Sequence, residues 1–135
     1  MKRGTIATLI AAAVLTAGCT TASPAPVDVP AVPARKTYAD VIIGFAQLGA
    51  ESEWRVANTN SIQDTAEELG IELRFSDAQQ KQDNQIDAVR KFIVQKVDLI
   101  GIAPIVETGW ADVFEEARAA GIPIIVVDRR ADVNE

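Results

Sequence analysis

Four short runs of Val, Ile, Leu and Phe recur along this chain, and the first three are each followed by a stretch with helical spacing. The runs are Val41-Ile42-Ile43-Gly44-Phe45-Ala46, Ile71 to Ser76, Asp98-Leu99-Ile100-Gly101-Ile102-Ala103, and Ile122 to Val127. Each has the length and β-branched content of a buried strand. None alternates strictly between apolar and polar residues, so both faces of each strand need cover. The first helix is expected over 53–69, with Ser52 as its N-cap and Gly70 as its stop. Its residues Trp54, Ala57, Ile62, Ala66 and Leu69 lie close to one stripe. A second helix repeats Ile86, Val89, Ile93 and Val97, with Phe92 beside them. A third is capped by Thr108 and presents Trp110, Val113, Phe114 and Ala117 before Gly121 and Pro123. The order β-α-β-α-β-α-β defines an α/β fold: a parallel sheet with helices on both faces and right-handed crossovers.

The residues before this pattern read differently. Residues 1–18 have the layout of a secretory signal, with Lys2 and Arg3 ahead of an apolar core, Ile6 to Leu15, and small residues before Cys19. The apolar core is too short to span a bilayer as a mature helix, which takes roughly 20 residues. Residues 19–37 then carry Pro24, Pro26, Pro30 and Pro33 among Ala, Val and Ser, a tether with no apolar face. In polyproline II such a tether reaches up to roughly 50 Å at about 3.1 Å per residue. The folded part is expected over 38–135.

In a parallel sheet all strand carboxyl ends share one edge, and ligands of open α/β sheets bind outside it. Four polar loops meet there: 47–51, 77–81, 104–107 and 128–130. The candidate residues are Gln47, Glu51, Trp54, Arg55, Asp77, Asp128 and Arg129. This mixture suits a neutral polyol. Arg offers a planar fork of donors, carboxylates accept from hydroxyls, and Trp offers a flat apolar face. Each residue also has a plainer reading. Trp54 packs a helix, Arg55 and Glu51 are solvated charges, Asp128 caps a turn, and Arg129 pairs with a neighbouring acid. Trp110 lies on an apolar helix face and reads as core. The Gln79-Gln80-Lys81-Gln82 cluster reads as a solvated loop.

Composition excludes several classes. The net charge of −6 argues against a nucleic-acid surface. There is no histidine and a single cysteine, so the common general base, the common metal ligand and an internal disulfide are all missing. No dinucleotide fingerprint, P-loop, nucleophile elbow or Cys-x-x-Cys is present. Glu67-Glu68 and Glu115-Glu116 sit mid-helix, away from the loop edge. Neither an enzyme nor a protein with a cofactor or bound metal is expected.

Several of these stretches together resemble one family. They are Gly44-Phe45-Ala46-Gln47, Glu51-Ser52-Glu53-Trp54-Arg55, Asp77-Ala78-Gln79-Gln80-Lys81-Gln82, Asn84-Gln85-Ile86, Ile102-Ala103-Pro104-Ile105-Val106, Thr108-Gly109-Trp110 and Asp128-Arg129. They resemble the N-terminal lobe of type I periplasmic sugar-binding proteins, the ribose- and galactose-binding receptors of ABC importers, and most of all their galactofuranose-binding subgroup. The resemblance implies a monosaccharide held between two lobes that close about a hinge, and delivery to an importer permease. It assigns hydroxyl contacts to Asp128 and Arg129, a stacking face to Trp54, further contacts to Arg55 and Gln47, and a weaker one to Asp77. Ala103 replaces the Asn that many pentose and hexose receptors carry before the third-strand proline. Arg55 follows Trp54 where many have a second aromatic. Both departures favour a furanose over ribose. Family members run to more than twice 135 residues, so an incomplete lobe with very weak sugar binding is expected of this chain alone.

The run Leu15-Thr16-Ala17-Gly18-Cys19 also resembles a bacterial lipobox, with Thr16 where leucine is more usual. It implies a diacylated Cys19 as the mature N-terminus, and two acyl chains suffice for stable anchoring. The expected product is a monomeric, exported receptor, held at the outer face of the cell membrane or in the periplasm. Three other readings share parts of the pattern. One is a sensor lobe that presents the sugar to a signalling partner. Another is the ligand-binding core of a lactose-repressor-type regulator, which the export signal and the lack of a basic helix-turn-helix segment oppose. The last is an exported α/β enzyme.

Overall fold

The computed structural model describes residues 35–132 of the chain. The signal, Cys19 and most of the tether lie outside the described residues. The elements are β1 (Ile42–Gln47), α1 (Glu53–Leu69), β2 (Glu72–Asp77), α2 (Gln82–Val94), β3 (Leu99–Ile102), α3 (Ala111–Ala119) and β4 (Ile124–Val126), after a short 3-10 turn at Tyr38–Asp40. The four strands form one parallel sheet in the order β2-β1-β3-β4. Chain order therefore reverses direction between β1 and β3, and the crevice outside their carboxyl ends is the usual binding position of such a sheet.

The reversal also decides which helix covers which face, because crossovers of one hand that run in opposite directions land on opposite sides. Successive strand residues point to opposite faces. Gly44 meets the Phe92 ring of α2, and Ala46, Ile100 and Ile102 join Ala88, Val89, Phe92, Trp110, Val113 and Ala117 in the main core. On the other side Ile43, Phe45, Leu99, Gly101 and Ile125 face Ile62 and Ala66 of α1 across a groove of about 320 Å³. Phe45 and Phe75 lie parallel there, with centroids 6.3 Å apart. The helices thus lie on both faces, but unequally. α2 and α3 close one side, whereas α1 covers the other only in part and leaves Ile125 50% exposed.

Several local expectations hold. Ser52 Oγ accepts from Arg55 N at 3.1 Å, and Gly70 closes α1 in the left-handed conformation at φ 71°. Trp110 is fully buried, and its Nε1 donates to Val106 O at 2.8 Å. Glu67, Glu68, Glu115 and Glu116 are exposed. Others need correction. Thr108 does not cap α3: the N-cap position is Trp110, without a side-chain cap. Val97 is not on α2. The helix ends at Val94, and Lys96 turns the chain at φ 54°, which brings Val97 into the core from the loop. The stripe on α1 is mostly not a packing stripe. Trp54 and Leu69 are exposed, and the buried residues of the helix are Arg55 and Ala66.

Candidate functional site

The first turn of α1 sits where β1 delivers it, beside the carboxyl end of the sheet. Gln47, the last residue of β1, fixes that placement. It is fully buried, and its Nε2 donates to Asn58 Oδ1 at 3.0 Å and Thr59 Oγ1 at 3.1 Å, both on α1. Its Oε1 accepts from Leu48 N at 3.1 Å. Gln47, expected as a sugar contact, forms an internal clamp between strand and helix, because a buried amide must satisfy its own donors and acceptor.

Arg55 is the centre of the cluster that results. It is 2% exposed, so it is not a solvated charge. Its Nη2 donates to Asp128 Oδ2 at 2.6 Å and its Nε to Glu51 Oε1 at 3.2 Å. Burial opposes the guanidinium charge more than any other single influence, but the bonds and fields of Asp128 and Glu51 together outweigh it and raise the Arg55 pKa. The Arg55 guanidinium carbon lies 4.7 Å from the centre of the Trp54 ring, within cation–π range. Trp54 itself is 58% exposed, so the helix-packing reading fails and a flat apolar face remains open to solvent. Among the described residues, Arg55 Nη1 is the buried side-chain polar atom without a hydrogen-bond partner.

The segment after β4 completes the rim. Asp128 has φ 69°, and Arg129 N bonds to Val127 O at 2.8 Å across it, which makes a γ-turn. Such a turn with positive φ is strained, and Asp tolerates it better than most residues. The turn points the Asp128 carboxylate at Arg55. Arg129 Nη1 donates to Ile105 O at 3.1 Å, while its Nε stands 3.8 Å from Asp128 Oδ2. Arg130 reaches Glu107 Oε2 at 3.5 Å. The structure therefore brings together Glu51, Trp54, Arg55, Asp128 and Arg129. Asp77 stands apart. It ends the edge strand β2, and its Oδ1 accepts from Gln79 N at 2.7 Å, holding a turn in which Gln79 and Gln80 both have positive φ. The glutamine cluster is not wholly solvated either, since Gln82 Nε2 donates to Thr108 O at 2.6 Å.

Gln85 has a structural role that is absent from the expected site residues. It is fully buried, with Nε2 donating to Ala46 O at 3.2 Å and Ala103 O at 2.7 Å. Its Oε1 accepts from Ile105 N at 3.0 Å. The signal was available, since Gln85 is a polar residue at helical spacing from the apolar positions Val89 and Phe92.

Arg, Asp, Glu and Trp thus gather where the chain order of the parallel sheet reverses between β1 and β3, a place where open α/β sheets bind ligands. The profile of the periplasmic binding protein domain matches residues 43–135, and the chain belongs to this family. It is 52% identical over 97 residues to the galactofuranose-binding protein of Escherichia coli, a match covering 72% of this chain and 30% of that one. Two solved structures share its fold and 52% of matched residues. The first is the binding component of an arabinose ABC transporter from a Shewanella species, bound to α- and β-L-arabinofuranose, at TM-score 0.68 over 70% of this chain and 32% of that one. The second is a Mycobacterium smegmatis protein in complex with β-D-fucofuranose, at TM-score 0.69 over 70% and 31%. The chain thus spans about a third of the length of the relatives it matches. The Escherichia coli and Shewanella relatives are solute-binding proteins rather than enzymes.

Proposed function

We propose that residues 38–135 form part of the N-terminal lobe of an extracytoplasmic receptor that captures a monosaccharide in its furanose form and hands it to an ABC importer permease. One observation carries this reading: the Arg55 guanidinium is locked between Asp128 and Glu51 and lies over the ring of the exposed Trp54. A furanose needs the same set. Its C–H face stacks on an aromatic ring, and its hydroxyls donate to carboxylates and accept from Arg. Arg129 adds a second donor set beside Asp128, Gln47 acts by holding α1 in place, and Asp77 contributes at most from the margin of the rim. The relatives bound to arabinofuranose and fucofuranose support the ring size. Export under the signal of residues 1–18 and a diacylglycerol anchor at Cys19 complete the proposal, with 19–37 as the tether.

The test is a titration of the whole two-lobed receptor with methyl galactofuranoside and methyl galactopyranoside, whose rings cannot interconvert, alongside free arabinose, galactose and glucose. Trp54 fluorescence and calorimetry report binding. A preference for the furanoside is expected. Binding of pyranosides alone would falsify the furanose assignment. For the anchor, Cys19→Ser is expected to release the protein from the membrane fraction, and continued membrane association sinks that part.

A further inference from the structure

We infer that Gln85 is a positioning residue for Arg129, acting through the backbone of Ile105. This rests on the sugar-receptor reading and deepens it. Gln85 approaches from α2, on the face of the sheet opposite α1. Its buried amide ties together the carboxyl ends of the two strands that flank the binding crevice, through Ala46 O on β1 and Ala103 O just after β3. The same amide accepts from Ile105 N at 3.0 Å. The other side of that residue, Ile105 O, accepts from Arg129 Nη1 at 3.1 Å. One side chain thus sets the place of the carbonyl on which the Arg129 guanidinium is parked. Every polar atom of Gln85 is used and none is exposed, so the amide has no freedom to drift. Arg129 is about half-exposed and makes no other hydrogen bond at its guanidinium among the described residues, so its aim depends on that carbonyl.

The downstream segment is laid along the same loop. Asp132 N bonds to Glu107 O, and Arg130 reaches the Glu107 carboxylate. A loop held at Ile105 therefore steadies the strand-four rim as a whole. Gln85, fully buried, does not itself touch the sugar. It decides where Arg129 waits for it.

The experiment is a double-mutant cycle on sugar affinity in the whole receptor, with Gln85→Met, Arg129→Ala and the pair together, read by calorimetry. Gln85→Met alone is expected to weaken binding about tenfold, the scale of one misplaced hydrogen bond. In the Arg129→Ala background the same substitution is expected to change affinity less than about twofold, since the group it positions is gone. Equal losses in both backgrounds overturn the inference and leave Gln85 as a packing residue. Should Gln85→Met not fold, Gln85→Asn, which keeps the amide but draws it back by one carbon, goes through the same cycle. Failure of both variants to fold also overturns it, because Gln85 is then purely structural. If the unsubstituted receptor binds no sugar at all, it is the receptor reading that fails.

Discussion

Arg55 and Trp54 are neighbours in sequence with opposite surroundings, and their substitutions should separate accordingly. Trp54 is exposed, with the Arg55 guanidinium over its ring. Trp54→Ala is expected to change unfolding free energy by less than about 0.5 kcal/mol. It should nonetheless weaken sugar binding about tenfold, the scale of one aromatic contact of about 1.5 kcal/mol. Urea denaturation and calorimetry on one preparation check both halves. Arg55 behaves differently because it is buried while its partners are not. The side chains of Asp128 and Glu51 are 30% and 27% exposed, so water takes up part of what they lose. Arg55→Lys keeps the charge but cannot reach two carboxylates with one planar fork. A loss of about 1–2 kcal/mol is expected, below the 3–5 typical of a fully buried pair. A fully stable Arg55→Lys variant would show that the fork geometry does not matter.

At the scale of elements, the glycines of β1 and β3 set how close the helices and strands come. A Cβ on Gly44 would lie 2.4 Å from Phe92 Cγ, and one on Gly101 would lie 2.6 Å from the Phe45 ring. Each of these glycines therefore leaves room for an aromatic ring, Phe92 on one face and Phe45 on the other. Gly44→Ala must displace Phe92 from a core position and is expected to cost about 1–3 kcal/mol, measured as a fall in the urea midpoint. An unchanged midpoint would mean that α2 moves away at no cost. α1 depends on this kind of packing far less. It is held by the Ser52 cap, by Gln47 bonded to Asn58 and Thr59, and by Arg55 bonded to Asp128. Polar fastening of the helix that carries Trp54 keeps the site's geometry even though the groove beneath the helix is not filled.

For the molecule as a whole, charge governs the response to pH. Asp98, Asp40, Glu115 and Glu116 all have lowered pKa values. Asp98 owes this first to its bond with Lys36 and next to Ile42 N, which donates to it at 2.9 Å and so ties the start of β1 to the turn before β3. Asp40 is lowered by the hydroxyl and backbone of Thr37, Glu115 by Arg118, and Glu116 by Arg90. A carboxylate with a lower pKa folded than unfolded contributes stability above its unfolded value. That contribution is lost as pH falls through the folded value. Unfolded carboxylates titrate near about 4, and there is no histidine in the chain. Stability is therefore expected to stay level from about pH 5.5 to 8 and to fall below about pH 4. Denaturant titrations across this range check it, and a drop between pH 8 and 6 would contradict it.

The sequence by itself determined the element order, the parallel sheet and the set of loops at its carboxyl edge. Runs of β-branched residues and helix-spaced apolar positions are local signals, readable without knowing what touches what. Ser52, Gly70 and Trp110 were legible for the same reason. Only the tertiary structure decided which polar residues face solvent and which are internal. Gln47 and Gln85 are buried clamps, Arg55 is a buried cation, and Trp54 is open. Those fates depend on partners far along the chain, such as Asp128 for Arg55 and Ala103 and Ile105 for Gln85. The cost of burying a polar group vanishes only when such a partner is in place, and spacing along a single chain does not reveal it.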